Sequence, residues 1–234
     1  MTAEETLTAE EVKCIDTSLA YFESQRALCN RVCSGLDAVF KDSDELNKLI
    51  HSLKWRVKSE VSLRDKLKRK ILDGKKKKKP FLIGPDTFFR KINDAAGYRI
   101  LHLHTTQFKA IHDILMRLLA EEKYRIVEHA SARTWDDESR AYFKSIGIRT
   151  VRTPSLYTSV HYVIATNART SCTCEIQVRT LAEELWGEVD HRLNYPNKSS
   201  VRCTTEQIAA LARATSTCSR LVDSIFASVK EHPS

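Results

Sequence analysis

Glycine is scarce in this chain, six in 234 residues, and none falls in a GxxxxGK[ST], GxGxxG or GxSxG pattern. A glycine-rich phosphate cradle and a nucleophile-elbow serine are therefore both excluded. No apolar run approaches the ~18 residues that a membrane span needs, so no membrane partner is expected. The seven cysteines (14, 29, 33, 172, 174, 203, 218) include no CxxC pair. Cys172 and Cys174 share one face of a predicted strand without ligand-like spacing, which favours buried small hydrophobes or idle thiols over a zinc site. The opening "MTAEETLTAEEVK" is acidic and helix-capping and lacks a basic-then-apolar signal pattern, so a cytoplasmic location is expected. The chain is 42% hydrophobic, and its 234 residues are enough for one substantial core, or one core plus a helical appendage.

Positive charge is plentiful and localised. Residues 54–79 hold thirteen Lys or Arg against three acids, a balance of +10 in a chain of net charge +8. Such a segment implies a polyanionic partner: nucleotide phosphates, RNA or an acidic membrane surface. The five lysines of "GKKKKKP" (Gly74 to Pro80) repel one another and read by themselves as a solvated loop.

Pattern then divides the chain. "TAEE" at Thr8 to Glu11 is a capping box, and one or two helices follow to about Leu53. "LKWRVKS" alternates as a strand, with Lys54, Arg56 and Lys58 on one face. Ser62 is placed to cap the helix "LRDKLKRKIL", ending at Gly74. "AAGYRILHLHT" predicts a second strand, and residues 107–122 an amphipathic helix burying Phe108, Ile111, Leu115 and Leu118. "YRIVEHA" predicts a third strand, and 131–154 reads as mostly irregular. "YTSVHYVIAT" and "TCEIQVRT" predict an antiparallel hairpin joined by "NARTS". "TLAE" at Thr180 caps a helix to about Leu193, and a last helix runs from about 205 to 230. The expected fold is α+β: a mixed sheet of about five strands flanked by helices. The expected organisation is an N-terminal helical segment over 1–50, a central domain over 51–200 and a C-terminal helix over 201–234.

Without a glycine cradle, phosphate work falls to side-chain cations and a metal. Arg56 and Lys58 on the strand, with Lys66 on the next helix, can grip a polyphosphate. Asp94 precedes a glycine turn and Arg99 lies in the strand beyond it. Asp94 and Glu175 are two hard carboxylates of the kind Mg²⁺ prefers. Glu175, Gln177 and Arg179 alternate with Cys174, Ile176 and Val178, which gives one polar and one apolar strand face. Tyr157, Ser159 and His161 share a face on the neighbouring strand, where an aromatic ring can stack a base. The plain alternatives are a turn aspartate, a salt-bridged glutamate, a structural His161, and a His191 that favours a helix dipole.

Taken in order, "RVKSEVSLRDKLKRK", "DAAGYRI", "YTSVHYV" and "CEIQVRTLAEELWGEVDHRLNY" resemble the successive motifs of the RelA/SpoT-type (p)ppGpp synthetase domain, over about residues 45–196. The helical ends are similar to those of the small alarmone synthetases, which consist of that domain alone. The resemblance implies a nucleotidyltransferase-like synthetase fold and Mg²⁺-dependent transfer of pyrophosphate from ATP to the ribose 3′-hydroxyl of GDP or GTP. By matching position it gives Arg56, Lys58, Ser62, Lys66 and Arg99 to ATP and Asp94 and Glu175 to Mg²⁺ and catalysis. It gives Tyr157, His161, Gln177, Arg179 and His191 to the acceptor nucleotide. Leu156 and Thr158 depart from the family's usual glycine and basic residue beside the tyrosine, and Arg149 or Arg152 is a candidate source of that charge. The departures bear on the acceptor: relatives that act as growth-arresting toxins use adenine nucleotides or the 3′ end of tRNA, and a catalytically silent RNA-binding relative is the reading from another class. The hydrolase half of the long enzymes is expected to be absent, with His112–Asp113 a solvated helix face, and homo-oligomerisation through terminal helices is a family-level expectation.

Overall fold

The computed structural model describes residues 6–153, 155–167, 172–194 and 201–231. The capping box forms as expected: Thr8 Oγ1 accepts from the Glu11 amide and Glu11 accepts from the Thr8 amide. It starts α1 (Ala9–Asp42), whose inward stripe includes Phe22, Cys29, Val32, Cys33, Leu36 and Phe40. A one-turn α2 (Asp44–Asn47) leads into β1 (Ser52–Val57) and α3 (Glu60–Lys76). Ser59, not Ser62, caps α3: Ser59 has extended backbone and its hydroxyl accepts from the Ser62 amide. Nor does α3 stop at Gly74. Gly74 is buried inside it, where an added Cβ would lie 2.6 Å from the Lys79 carbonyl oxygen. Lys75 and Lys76 finish the helix, and Lys75 bonds to Glu11 at 2.6 Å and to the Thr6 carbonyl at 2.9 Å. Part of the lysine run is thus helix that fastens the N-terminus rather than a solvated loop.

The remaining elements are α4 (Phe88–Lys91), β2 (Ala96–His102), α5 (Phe108–Glu121), β3 (Arg125–Thr134), α6 (Asp137–Ser145), β4 (Arg149–Arg152), β5 (Ser159–Ala165), β6 (Thr173–Thr180), α7 (Leu181–Asn194) and α8 (Arg202–Glu231). The stretch expected to be irregular therefore holds the end of β3, a helix capped by Asp136 and an edge strand. The α5 stripe closes on Leu119 rather than Leu118, which is only partly buried. The predicted hairpin pairs antiparallel; most of its linker lies outside the described residues. α7 begins with the predicted capping box, Thr180 and Glu183 bonding each other's amides.

Among the described residues six strands form one mixed sheet in the order β1-β2-β6-β5-β3-β4. β2 runs parallel to β6, and β1 and β5 flank that pair antiparallel. Tyr98, Ile100, Ile176, Val178, Val160 and Tyr162 join α1, α3 and α5 in the main core. A smaller apolar cluster, Trp186, Ile208 and Ala212, seals α7 against α8. Among the described residues no helix is long and apolar enough to cross a membrane.

Candidate active site

Residues directly opposite in a ladder share a face of the sheet. The register aligns Lys54 with Arg99, Arg99 with Gln177, and Gln177 with His161. The next row aligns Arg56 with Gly97 and Gly97 with Glu175. Every polar side chain picked out from β1, β2, β5 and β6 thus belongs to the face opposite the main core. That placement follows from period-two alternation plus the pairing register.

The charges on this face are arranged in three groups. Asp94, in the turn before β2, meets Lys66 Nζ at 2.6 Å and Lys58 Nζ at 3.2 Å. Burial works against the Asp94 charge, but the two ammonium groups outweigh it and hold its carboxyl below the usual range. Glu175 is similarly opposed by burial and held low chiefly by His161, with Gln177 adding a bond at 2.7 Å. His161 Nδ1 lies 2.9 Å from Glu175 Oε1, and His161 Nε2 lies 2.9 Å from the Tyr157 hydroxyl. An ionised carboxylate only accepts, so Nδ1 donates to Glu175, and when the ring is neutral Nε2 accepts a hydrogen bond from the Tyr157 hydroxyl. His161 is 6% exposed: it ties Tyr157 to Glu175 from behind and does not line the cleft.

α7 supplies the third group. Arg99 Nη1 donates to Glu184 Oε1 at 3.0 Å and to Glu188 Oε1 at 2.8 Å. Arg179, 3% exposed, pairs with Glu184 and stands 5.8 Å from the Tyr157 ring centroid. Gly187 makes that possible, because a Cβ there would lie 2.8 Å from Arg179 Nη1. Sequence reasoning missed Glu184 and Glu188. Their signal was the spacing 184, 187, 188 and 191, which puts Glu184, Gly187, Glu188 and His191 on one helix face.

Between these groups lies an open cleft of about 560 Å³. Arg56, Lys58, Ser62, Lys66, Asp94 and Arg99 line it together with Tyr157, Gln177, Arg179 and His191. Glu175 lines the adjoining recess beside Asp94, Arg99 and Gln177. Arg69, not picked out from the sequence, also lines the cleft, whereas Arg149 and Arg152 lie on β4 at the far edge of the sheet. His112–Asp113 lies on α5, where His112 bonds the Tyr162 hydroxyl at 2.8 Å; it is a packing histidine rather than a solvated one. Among the described residues, no three His, Cys, Asp or Glu side chains are grouped to hold a metal by themselves. Asp94 and Glu175, both kept ionised beside one recess, are a two-carboxylate donor set of the sort Mg²⁺ uses together with substrate phosphates and water.

The motifs quoted from the sequence thus converge on one cleft, and residues 55–200 match the model of the region found in RelA/SpoT proteins. The chain belongs to the RelA/SpoT family. Its fold is similar to a GTP pyrophosphokinase family protein from Streptococcus pneumoniae: 22% identity, TM-score 0.63, 96% of this chain and 97% of that one covered. It is also similar to small alarmone synthetase 2 from Bacillus subtilis: 24% identity, TM-score 0.62, with 88% and 98% covered. A third likeness is to small alarmone synthetase 1 from Bacillus subtilis bound to its product pppGpp: 21% identity, TM-score 0.57, with 92% and 95% covered. No curated protein sequence matches the chain. The RelA/SpoT fold here is the α+β sheet with helical ends expected from the sequence, with six strands.

Proposed function

We propose that this RelA/SpoT-family protein transfers the β,γ-pyrophosphate of ATP to the ribose 3′-hydroxyl of GDP or GTP, yielding AMP and (p)ppGpp. The observation that carries the reading is the position of Asp94 and Glu175. They line one recess with Arg56, Lys58 and Arg99, and the cleft it adjoins is lined by Lys66, Tyr157, Arg179 and His191. In the transfer a bond forms from the 3′-oxygen to the β-phosphorus, and the bond from that phosphorus to the α,β-bridging oxygen breaks. AMP leaves with the bridging oxygen, and the 3′-proton passes to Glu175.

Arg56, Lys58, Ser62, Lys66 and Arg99 bind ATP in this scheme, their charge offsetting that of the triphosphate. Such transfer relies on positioning and charge compensation rather than a covalent nucleophile. His161 and Gln177 each donate to Glu175, which fixes its carboxylate as an acceptor. Tyr157 stacks the acceptor base, with Gln177, Arg179 and His191 beside it, and His161 holds its hydroxyl. Mg²⁺ is the cofactor of this reading, held by Asp94 and Glu175, and when bound it neutralises phosphate charge. A silent relative would have no use for both carboxylates in an ionised state at one cleft.

The test is γ-labelled ATP incubated with Mg²⁺ and, separately, GDP, GTP, ADP and deacylated tRNA, followed by chromatography. Label in a guanosine 3′-pyrophosphate supports the reading. Label in ADP or tRNA alone moves the acceptor to the alternatives raised by Leu156 and Thr158, and no transfer to any acceptor overturns the enzyme.

A further inference from the structure

Two cations assigned above to nucleotides are already engaged by carboxylates of α7. Arg99 bridges Glu184 at 3.0 Å and Glu188 at 2.8 Å. Arg179 pairs with Glu184, and Lys54 Nζ lies 3.8 Å from the same carboxylate. The two glutamates sit in different surroundings: the Glu184 side chain is 8% exposed and that of Glu188 is 44% exposed. Removing Glu184 from its partners would leave buried guanidinium charge uncompensated, which is costly. Swinging Glu188 into water breaks only a part-exposed pair of modest strength.

We propose that Glu188 is a built-in anion which a substrate phosphate displaces from Arg99, while Glu184 stays in place and positions Arg99 and Arg179. The inference rests on the polyphosphate reading of the cleft. Before substrate arrives, Glu188 compensates Arg99 and holds its guanidinium beside the recess that Glu175 lines. On arrival, a phosphate oxygen takes the Nη1 donor that Glu188 vacates. Occupancy of Arg99 is then a competition between an internal carboxylate and an incoming polyphosphate. A group of low charge gains less from that exchange than a triphosphate does.

The test is calorimetric binding of ATP, inorganic tripolyphosphate and adenosine to the full chain, with no acceptor nucleotide and no turnover. Glu188→Gln, which keeps the shape and removes the charge, should tighten tripolyphosphate and ATP about two- to fivefold, the range that corresponds to a part-exposed ion pair. Adenosine binding should not change. In an Arg99→Gln background the same substitution should give no gain, because the competition has lost its object. Unchanged or weaker tripolyphosphate binding by a folded Glu188→Gln protein would overturn the proposal. So would a gain that persists without Arg99, which would be a bulk charge effect. Wild-type protein that binds neither ATP nor tripolyphosphate would instead overturn the polyphosphate reading itself, and this inference with it.

Discussion

Tyr98, Ile100, Ile176 and Val178 face the helices of the main core and are almost wholly buried, while their chain neighbours Arg99, Glu175, Gln177 and Arg179 face the cleft. The same strands therefore carry two faces of opposite chemistry. On the core face each large side chain contributes roughly 1.5–3 kcal/mol by leaving water, and the tyrosine tips are satisfied by Asp37 and His112. On the cleft face burial is nearly as deep at Arg179 and Glu184, but a buried charge is costly unless it is paired. The pairs there keep the face from destabilising the fold. The core face holds the strands together, and in the proposed reading the cleft face serves the ligand.

The sharpest way to break that division is to remove charge from the cleft and look for loss of stability. Asp94→Asn should lower transfer by about 10² to 10³, the usual cost of one electrostatic contact in a transfer site. Its folded spectrum should persist, because Asp94 sits in a turn at the cleft and not in the core. A folded Asn variant with normal turnover would remove Asp94 from the chemistry. A smaller effect is expected at Tyr157, where Tyr157→Ala should raise the acceptor KM roughly tenfold, in line with ~1–3 kcal/mol for base stacking. The ATP KM should hardly move; the reverse pattern would exchange the two nucleotide assignments.

The cap of α7 tests the border between the faces. Glu183 as a residue is partly covered, but its carboxyl end lies among Trp135, Leu156 and Trp186, and burial pushes it up to about 7. The native state then keeps a proton that the unfolded carboxyl releases near ~4.3. Its contribution to stability is present in acid and is lost as pH rises from there to about 7. Wild type should therefore lose roughly 5–10 °C of Tm relative to Glu183→Gln between pH 5 and pH 8. Parallel Tm curves would show that Glu183 titrates as an ordinary carboxylate. The smallest effect belongs to the lysine run: Lys77→Ser with Lys79→Ser should leave GDP-dependent rate within about twofold, since neither lysine lines the cleft and exposed charges are screened by salt. A tenfold loss would make that run a substrate grip.

Alternation and capping make most of the strands, the hairpin and both capping boxes readable in the sequence. The misses have physical causes. α6 buries only Phe143, so it offers almost no apolar period, and β4 is a four-residue edge strand with little buried. Ser59 and Ser62 both suit a cap, and the extended backbone at Ser59 decided between them. Asp94 and Glu175 each have a plain local reading, a turn aspartate and a salt-bridged glutamate, and stand out only through the order of the four quoted motifs. The Arg99–Glu188 pair spans 89 positions, and no local pattern reports a partner that far away.

Adjacent residues on opposite faces of β6 give the most direct test of the whole account: Glu175→Gln beside Ile176→Ala, each measured for Tm and for labelled pyrophosphate transfer per folded molecule. The account predicts that the Gln protein keeps its Tm and loses about 10² to 10⁴ in rate, the share of a general base. It predicts that the Ala protein loses about 2–5 kcal/mol of stability through its cavity and transfers at close to the wild-type rate once folded. A Gln protein that turns over normally, or an Ala protein that stays stable and goes silent, would contradict it.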